Sequence, residues 1–128
     1  MSRTLRILYI DDDADTRLLL RELLAEDNPK IEVLEAASVE EAIDRWEKAV
    51  VDVLFVDNRL GPEEGVDQIG RLRSVWPCPI FVVTGVTDAY LLDRARRNGA
   101  QGLLGKDELM KDGARLRKTI LRVTGGPV

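Results

Sequence analysis

The chain has 128 residues, enough for one domain that buries roughly two-thirds of its unfolded surface, and its 45% hydrophobic and 33% charged residues suit a soluble globular protein. A single cysteine, Cys78, excludes an intrachain disulfide framework, and the lack of histidine excludes a Cys/His zinc site and removes the commonest general base. The net charge of −4 divides into −8 over residues 1–86 and +4 over residues 87–128, which disfavours non-specific nucleic-acid binding.

Taken in chain order, "LRILYI" (5–10) predicts a strand, and it runs straight into Asp11, Asp12, Asp13 and Asp15. Such a cluster is costly, because two carboxylates ~4 Å apart repel by about 4 kcal/mol at an effective dielectric near 20. Asp13 and Asp15 suit the start of a helix, where acids are favoured by the macrodipole. Asp11 and Asp12 exceed what a cap needs. "IEVLEA" (31–36), with Glu32 and Glu35 interleaved, predicts an edge strand. Ser38 and Glu41 form a capping box before a helix whose apolar face is Val39, Ala42, Ile43 and Trp46. "DVLFVD" (52–57) and "PIFVVT" (79–84) are apolar on consecutive positions, as strands buried on both faces are. Between them Val66, Ile69, Leu72 and Val75 or Trp76 mark a helix. Cys78, between Pro77 and Pro79, reads as a loop or strand-entry residue, and Trp46 and Trp76 as packing residues. "QGLLG" (101–105) predicts a fifth strand. Leu109, Leu116, Ile120 and Val123 line a final helix that Gly113 should weaken by ~1 kcal/mol. One domain over residues 1–123 is expected, with 124–128 ("TGGPV") as a flexible tail. No apolar run approaches ~18 residues and "MSRTLR" carries no signal-like segment, so neither a membrane span nor secretion is expected, and the default location is cytoplasmic.

Five strand–helix alternations predict an α/β domain, a doubly wound five-stranded parallel sheet with right-handed crossovers. In such a sheet, ligands sit beyond the carboxyl ends of the strands. Those ends deliver Asp11, Asp12, Asp57 and Thr84, with Lys106 following the fifth strand. Clustered oxygen ligands suit Mg²⁺, which commonly takes one or two carboxylates plus a phosphate. Asp57, alone at its strand end, is then a candidate nucleophile toward phosphorus, with Thr84 and Lys106 holding the phosphoryl oxygens.

The pieces "YIDDD" (9–13), "VDNRLGPEEG" (56–65), "VVTG" (82–85) and "LLGKD" (103–107) resemble the response-regulator receiver family of two-component signalling, from about Leu5 to Val123. The resemblance implies a flavodoxin-like (βα)5 fold with strand order 2-1-3-4-5. It implies that Asp57 accepts a phosphoryl group from a phosphohistidine on a histidine kinase or histidine phosphotransfer protein. Asp12, Asp57 and the main-chain carbonyl of Arg59 would bind Mg²⁺, with Asp11 acting through water or by orienting. Thr84 would hydrogen-bond the phosphoryl group and Lys106 would pair with it. The protein would assist its own phosphotransfer and dephosphorylation without being a turnover enzyme. The surface of residues 87–99, the fifth strand and the last helix would receive an output domain, a partner or a second copy, with Arg94, Arg96 and Arg97 as contacts. With no room for an output domain, a stand-alone receiver or one excised from a larger regulator is expected.

Five positions depart from the family pattern. Leu103 stands where an aromatic switch residue is usual, and Asp107 where a proline with a cis bond is usual; a non-proline cis bond costs ~3–4 kcal/mol, so this loop should differ in shape. Pro62 lies one position later than expected. Val86 and Arg59 occupy positions that often influence hydrolysis, and they suggest slow self-dephosphorylation.

Three alternatives compete. "ILYIDDDADT" is similar to the haloacid-dehalogenase phosphatase motif, with Asp11 as nucleophile and Asp13 as acid/base; that reading leaves Asp57 unused, lacks a later acidic metal motif and needs a larger fold. A flavodoxin-like cofactor module needs a Gly/Ser/Thr-rich phosphate loop where four aspartates stand. A receiver-like adaptor that binds partners without phosphorylation is the third, kept open by Leu103 and Asp107.

Overall fold

A computed structural model describes residues 4–25 and 30–125. Five strands form one parallel sheet: β1 (Leu5–Ile10), β2 (Ile31–Ala36), β3 (Val53–Asp57), β6 (Ile80–Thr84) and β7 (Gly102–Gly105). Their order is β2-β1-β3-β6-β7, which is 2-1-3-4-5 counted over the sheet strands alone. Strand pleating sorts the core into two layers. Ile7, Tyr9, Phe55 and Val83 face α1 (Ala14–Leu23), α5 (Lys106–Leu109) and α6 (Gly113–Thr124), through Leu20, Leu109, Leu116 and Ile120. Leu8, Ile10, Leu54, Val56 and Val82 face α2 (Val39–Trp46), α3 (Ile69–Val75) and α4 (Ala89–Arg97). β3 and β6 are buried at every position, as their unbroken apolar runs require. On the edge strand β2, Glu35 pairs with Arg17 at 3.2 Å and Arg21 at 2.6 Å.

The Asp13 start signal is realised as a cap, and the capping box at Ser38 and Glu41 is half made. Asp13 caps α1 by accepting the Asp15 N–H at 3.0 Å, and Ser38 caps α2 by accepting the Glu41 N–H at 3.1 Å. The Glu41 carboxylate turns to Arg45 at 3.4 Å. Trp76 is buried and donates its indole N–H to the Trp46 carbonyl at 3.1 Å, tying α3 to α2. Burial above all pushes the Cys78 thiol up to about 11, which fits a residue with no redox part.

Other expectations are corrected. The segment after Asp57 contains a two-stranded hairpin, β4 (Arg59–Leu60) with β5 (Glu63–Glu64), and a 3₁₀ turn over Gly65–Gln68 precedes α3. Gly61 takes φ 64° at the first turn position, a conformation open to glycine and closed to Pro62. The last helical segment is two pieces, not one. Gly113 is the first residue of α6, after the cap Asp112, rather than a weak point inside a helix. A Cβ there would lie 2.6 Å from the Leu23 carbonyl oxygen, so glycine lets α6 approach the end of α1. Helix α6 also includes Thr124, with Gly125 as its cap; the rest of the expected tail, residues 126–128, lies outside the described residues. Among the described residues, no helix is long and apolar enough to cross a membrane.

The stretch after β3 is braced on both sides. Asn58 accepts the Gly65 N–H on its carbonyl at 2.9 Å and the Val66 N–H on its side chain at 3.0 Å. From α4, Arg94 reaches Asp67 at 3.0 Å and Glu64 at 3.6 Å, and Asn98 donates to the Val66 carbonyl at 2.8 Å.

Candidate functional site

The acidic cluster forms where β1 and β3 end side by side. Ile10 pairs with Val56 in the ladder, so the residues that follow, Asp11 and Asp57, emerge together at the carboxyl edge of the sheet. Both side chains are buried, while Asp12 is exposed. One carboxylate oxygen from each of Asp11, Asp12 and Asp57 lies within 4.8 Å of the others. β7 ends at the same edge, and Lys106 reaches Asp11 Oδ2 at 3.0 Å and Asp57 Oδ2 at 3.2 Å. The lysine thus supplies part of the charge that the opening aspartate cluster requires.

Each group is held by identifiable donors. Asp11 Oδ1 accepts the Asp13 N–H at 2.9 Å, and Asp11 Oδ2 accepts the Tyr9 hydroxyl at 2.6 Å. The Asp11 main-chain carbonyl accepts a hydrogen bond from the Arg17 guanidinium. Asp57 Oδ1 accepts the Arg59 N–H at 3.3 Å, so the backbone at Arg59 lies beside the nucleophile candidate while its side chain is exposed. Thr84 is buried at the end of β6, and its hydroxyl is engaged with Val86: it donates to the carbonyl at 3.1 Å and accepts the N–H at 3.3 Å. Leu103 is half-buried in β7 and packs against the core layer under α4. The chain enters the α5 turn directly at Lys106, with Asp107 exposed on it.

Burial, and then the Asp11 charge, raise the Asp57 carboxyl above the usual range against the Arg59 N–H and Lys106. Burial works against the Lys106 ammonium, but its bond to Asp11 and the charges of Asp11 and Asp57 outweigh it, and its affinity for the proton rises. Asp13 is lowered by its bonds from Thr16 and the Asp15 N–H, which fits a cap. A raised acid makes a signed prediction. Native Asp57 holds its proton more tightly than the unfolded chain does, so stability falls as pH rises from ~4 through the raised native value. Asp57→Asn removes that decline. Its urea midpoint is expected to exceed the wild type's at pH 7 and to approach it at pH 4. A gap that does not change with pH would contradict a raised Asp57.

Three clustered carboxylates with a neighbouring lysine are hard oxygen donors of the kind that take a small divalent cation with waters, and the donor set fits such an ion. The structure therefore brings together Asp11, Asp12, Asp57 and Lys106, places the Arg59 backbone alongside, and leaves the Thr84 hydroxyl on its own loop. Sequence reading overlooked Tyr9 and Arg17. Tyr9 had a signal, since residues 9 and 11 of a strand share a face.

Comparison with known proteins agrees with this geometry. A family model described as the response regulator receiver domain matches residues 7–120. The transcriptional regulatory protein PdtaR of Mycobacterium tuberculosis is 32% identical over 107 residues, 84% of this chain and 52% of that protein. The sensory transduction protein LytT of Bacillus subtilis is 35% identical over 88 residues, covering 69% of this chain and 36% of that protein. The chain thus spans about half the length, or less, of these curated relatives. Among solved structures, the chemotaxis protein CheY4 of Vibrio cholerae aligns with a TM-score of 0.81 at 27% identity, over 94% of this chain and 99% of that one. A two-component response regulator from Clostridium difficile aligns at 0.77 and 28% identity, over 92% and 96%.

Proposed function

Because the chain belongs to the response regulator receiver family, we propose that it is a phosphoacceptor that takes a phosphoryl group from a phosphohistidine onto Asp57. An Asp57 carboxylate oxygen attacks phosphorus, the P–N bond breaks, and its electron pair stays on the imidazole of the donor. The donor is a histidine kinase or a histidine phosphotransfer protein. Asp12, Asp57 and the Arg59 carbonyl would hold Mg²⁺, with Asp11 acting through water. When bound, the ion supplies positive charge to the phosphoryl oxygens and relieves the repulsion among the aspartates.

The chain's own groups do the positioning. Lys106 exchanges its bond to Asp57 for one to a phosphoryl oxygen. Thr84 gives up Val86 to donate to another, and that turn carries the β6–α4 loop toward a changed α4–β7–α6 face, where an output domain, a partner or a second copy docks. The acyl phosphate is later lost to water, so the protein cycles between two states rather than turning over a substrate. The observation that carries this reading is Lys106 bridging Asp11 and Asp57 at 3.0 and 3.2 Å.

Incubation with acetyl phosphate and Mg²⁺ tests it by intact-protein mass. The wild type is expected to gain one phosphoryl group and Asp57→Ala none. An unchanged wild-type mass, with no response to fluoroberyllate, points instead to an adaptor that works without phosphorylation.

A further inference from the structure

Asp11 is the most heavily bonded carboxylate of the cluster. The Asp13 N–H, Lys106 Nζ and the Tyr9 hydroxyl take three of its roughly four lone-pair directions. The shortest of these bonds, at 2.6 Å, comes from inside the protein: Tyr9 is wholly buried in the core layer with Leu20, Phe55 and Val83. A phenylalanine would fill that layer equally well. A buried hydroxyl costs about 1–3 kcal/mol unless it is bonded, so packing alone gives no reason for the oxygen. Its acceptor is the same Oδ2 that holds Lys106, the lysine shared with Asp57.

We propose that Tyr9 is a positioning residue for cation binding: its hydroxyl, donated from the core, fixes the Asp11 carboxylate and competes for Oδ2, so that Asp11 keeps its orientation and Lys106 stays available to Asp57. This rests on the phosphoacceptor reading above. Groups that orient a ligand from behind are commonly worth about 10–100-fold in metal affinity. In Tyr9→Phe, Oδ2 is left to Lys106, the carboxylate is free to rotate, and the lysine is drawn away from Asp57.

The test is a Mg²⁺ titration of the full chain by calorimetry, with amide NMR spectra. Tyr9→Phe is expected to fold with wild-type shifts away from the site, to move the Asp13 amide resonance, and to bind Mg²⁺ about tenfold more weakly. Phe55→Leu, which disturbs the same core layer without touching Asp11, is expected to lower stability and leave Mg²⁺ affinity unchanged. Equal affinity in Tyr9→Phe and wild type, or equal weakening in both variants, overturns the inference. A wild type that takes Mg²⁺ and phosphoryl while Tyr9→Phe matches it overturns the inference alone; a wild type that takes neither overturns the proposed function as well. Should Tyr9→Phe not fold, 3-fluorotyrosine labelling reads the intact site through Tyr9 and Tyr90. The buried fluorine signal is expected to shift with Mg²⁺, and a stationary one counts against the role.

Discussion

Lys106→Ala is expected to lose about 2 kcal/mol of stability in metal-free buffer and to recover most of it when Mg²⁺ is added. Removing one partner of a buried ion pair typically costs about 3–5 kcal/mol, because the other charge is left uncompensated. Here the loss falls on two carboxylates, Asp11 and Asp57, with only 0% and 7% of their side chains exposed. The lysine is itself 27% exposed, so water screens part of the interaction and the lower figure applies. A ligand that binds only the folded state stabilises it by about 2.7 kcal/mol at a hundred times its dissociation constant. With the competing ammonium gone from Asp11 and Asp57, the variant should bind the cation more tightly than the wild type does, so the gap between them should narrow as Mg²⁺ rises. Urea unfolding with and without Mg²⁺ measures both effects. A variant as stable as wild type without metal would mean that the aspartates are solvated and do not oppose one another.

Gly65→Ala is expected to cost about 3 kcal/mol and to slow the proposed phosphorylation of Asp57 sharply. The added Cβ would stand 2.3 Å from the Asp57 carbonyl oxygen, 3.0 Å from its carbonyl carbon and 3.1 Å from Val56 Cγ2. None of these can step aside cheaply. They belong to the end of a fully buried central strand, and Gly65 is itself tied to Asn58 by a 2.9 Å hydrogen bond. Relief must come from shifting the hairpin or Asp57. Gly70→Ala is the control: nothing lies within 4 Å of the added atom, and the site is on α3, so alanine is expected to stabilise by about 0.5–1 kcal/mol. Denaturant midpoints separate the two variants, and equal midpoints would show that the loop gives way freely.

The sheet was legible because its two central strands, β3 and β6, are short, β-branched and buried in unbroken runs, and because parallel strands collect their ends at one edge. Asp11, Asp57 and Lys106 could be placed from that rule alone. Where the reading went astray, the missing information was non-local. Gly113 looks like a helix defect until the Leu23 carbonyl 2.6 Å from its missing side chain is known. The apolar series from Leu109 to Val123 gave no sign of the break before Asp112, because residues on both sides of it pack on the same layer. The strand-end rule brings Thr84 to the same edge but does not foresee that its hydroxyl is engaged with the Val86 backbone. Arg17 was invisible for a similar reason: its partners, the Asp11 carbonyl and Glu35, come from two different strand ends.

The brace between α4 and the segment after Asp57 has a further consequence. Arg94 meets Glu64 and Asp67 through carboxylates that are 52% and 56% exposed, so these pairs are individually weak and weaken further as salt rises. The apolar layers beneath them feel no such screening. Rising salt thus loosens only the charged part of the α4 seat, while Leu91 and Ala95 stay buried against the sheet and Asn98 keeps its bond to the Val66 carbonyl.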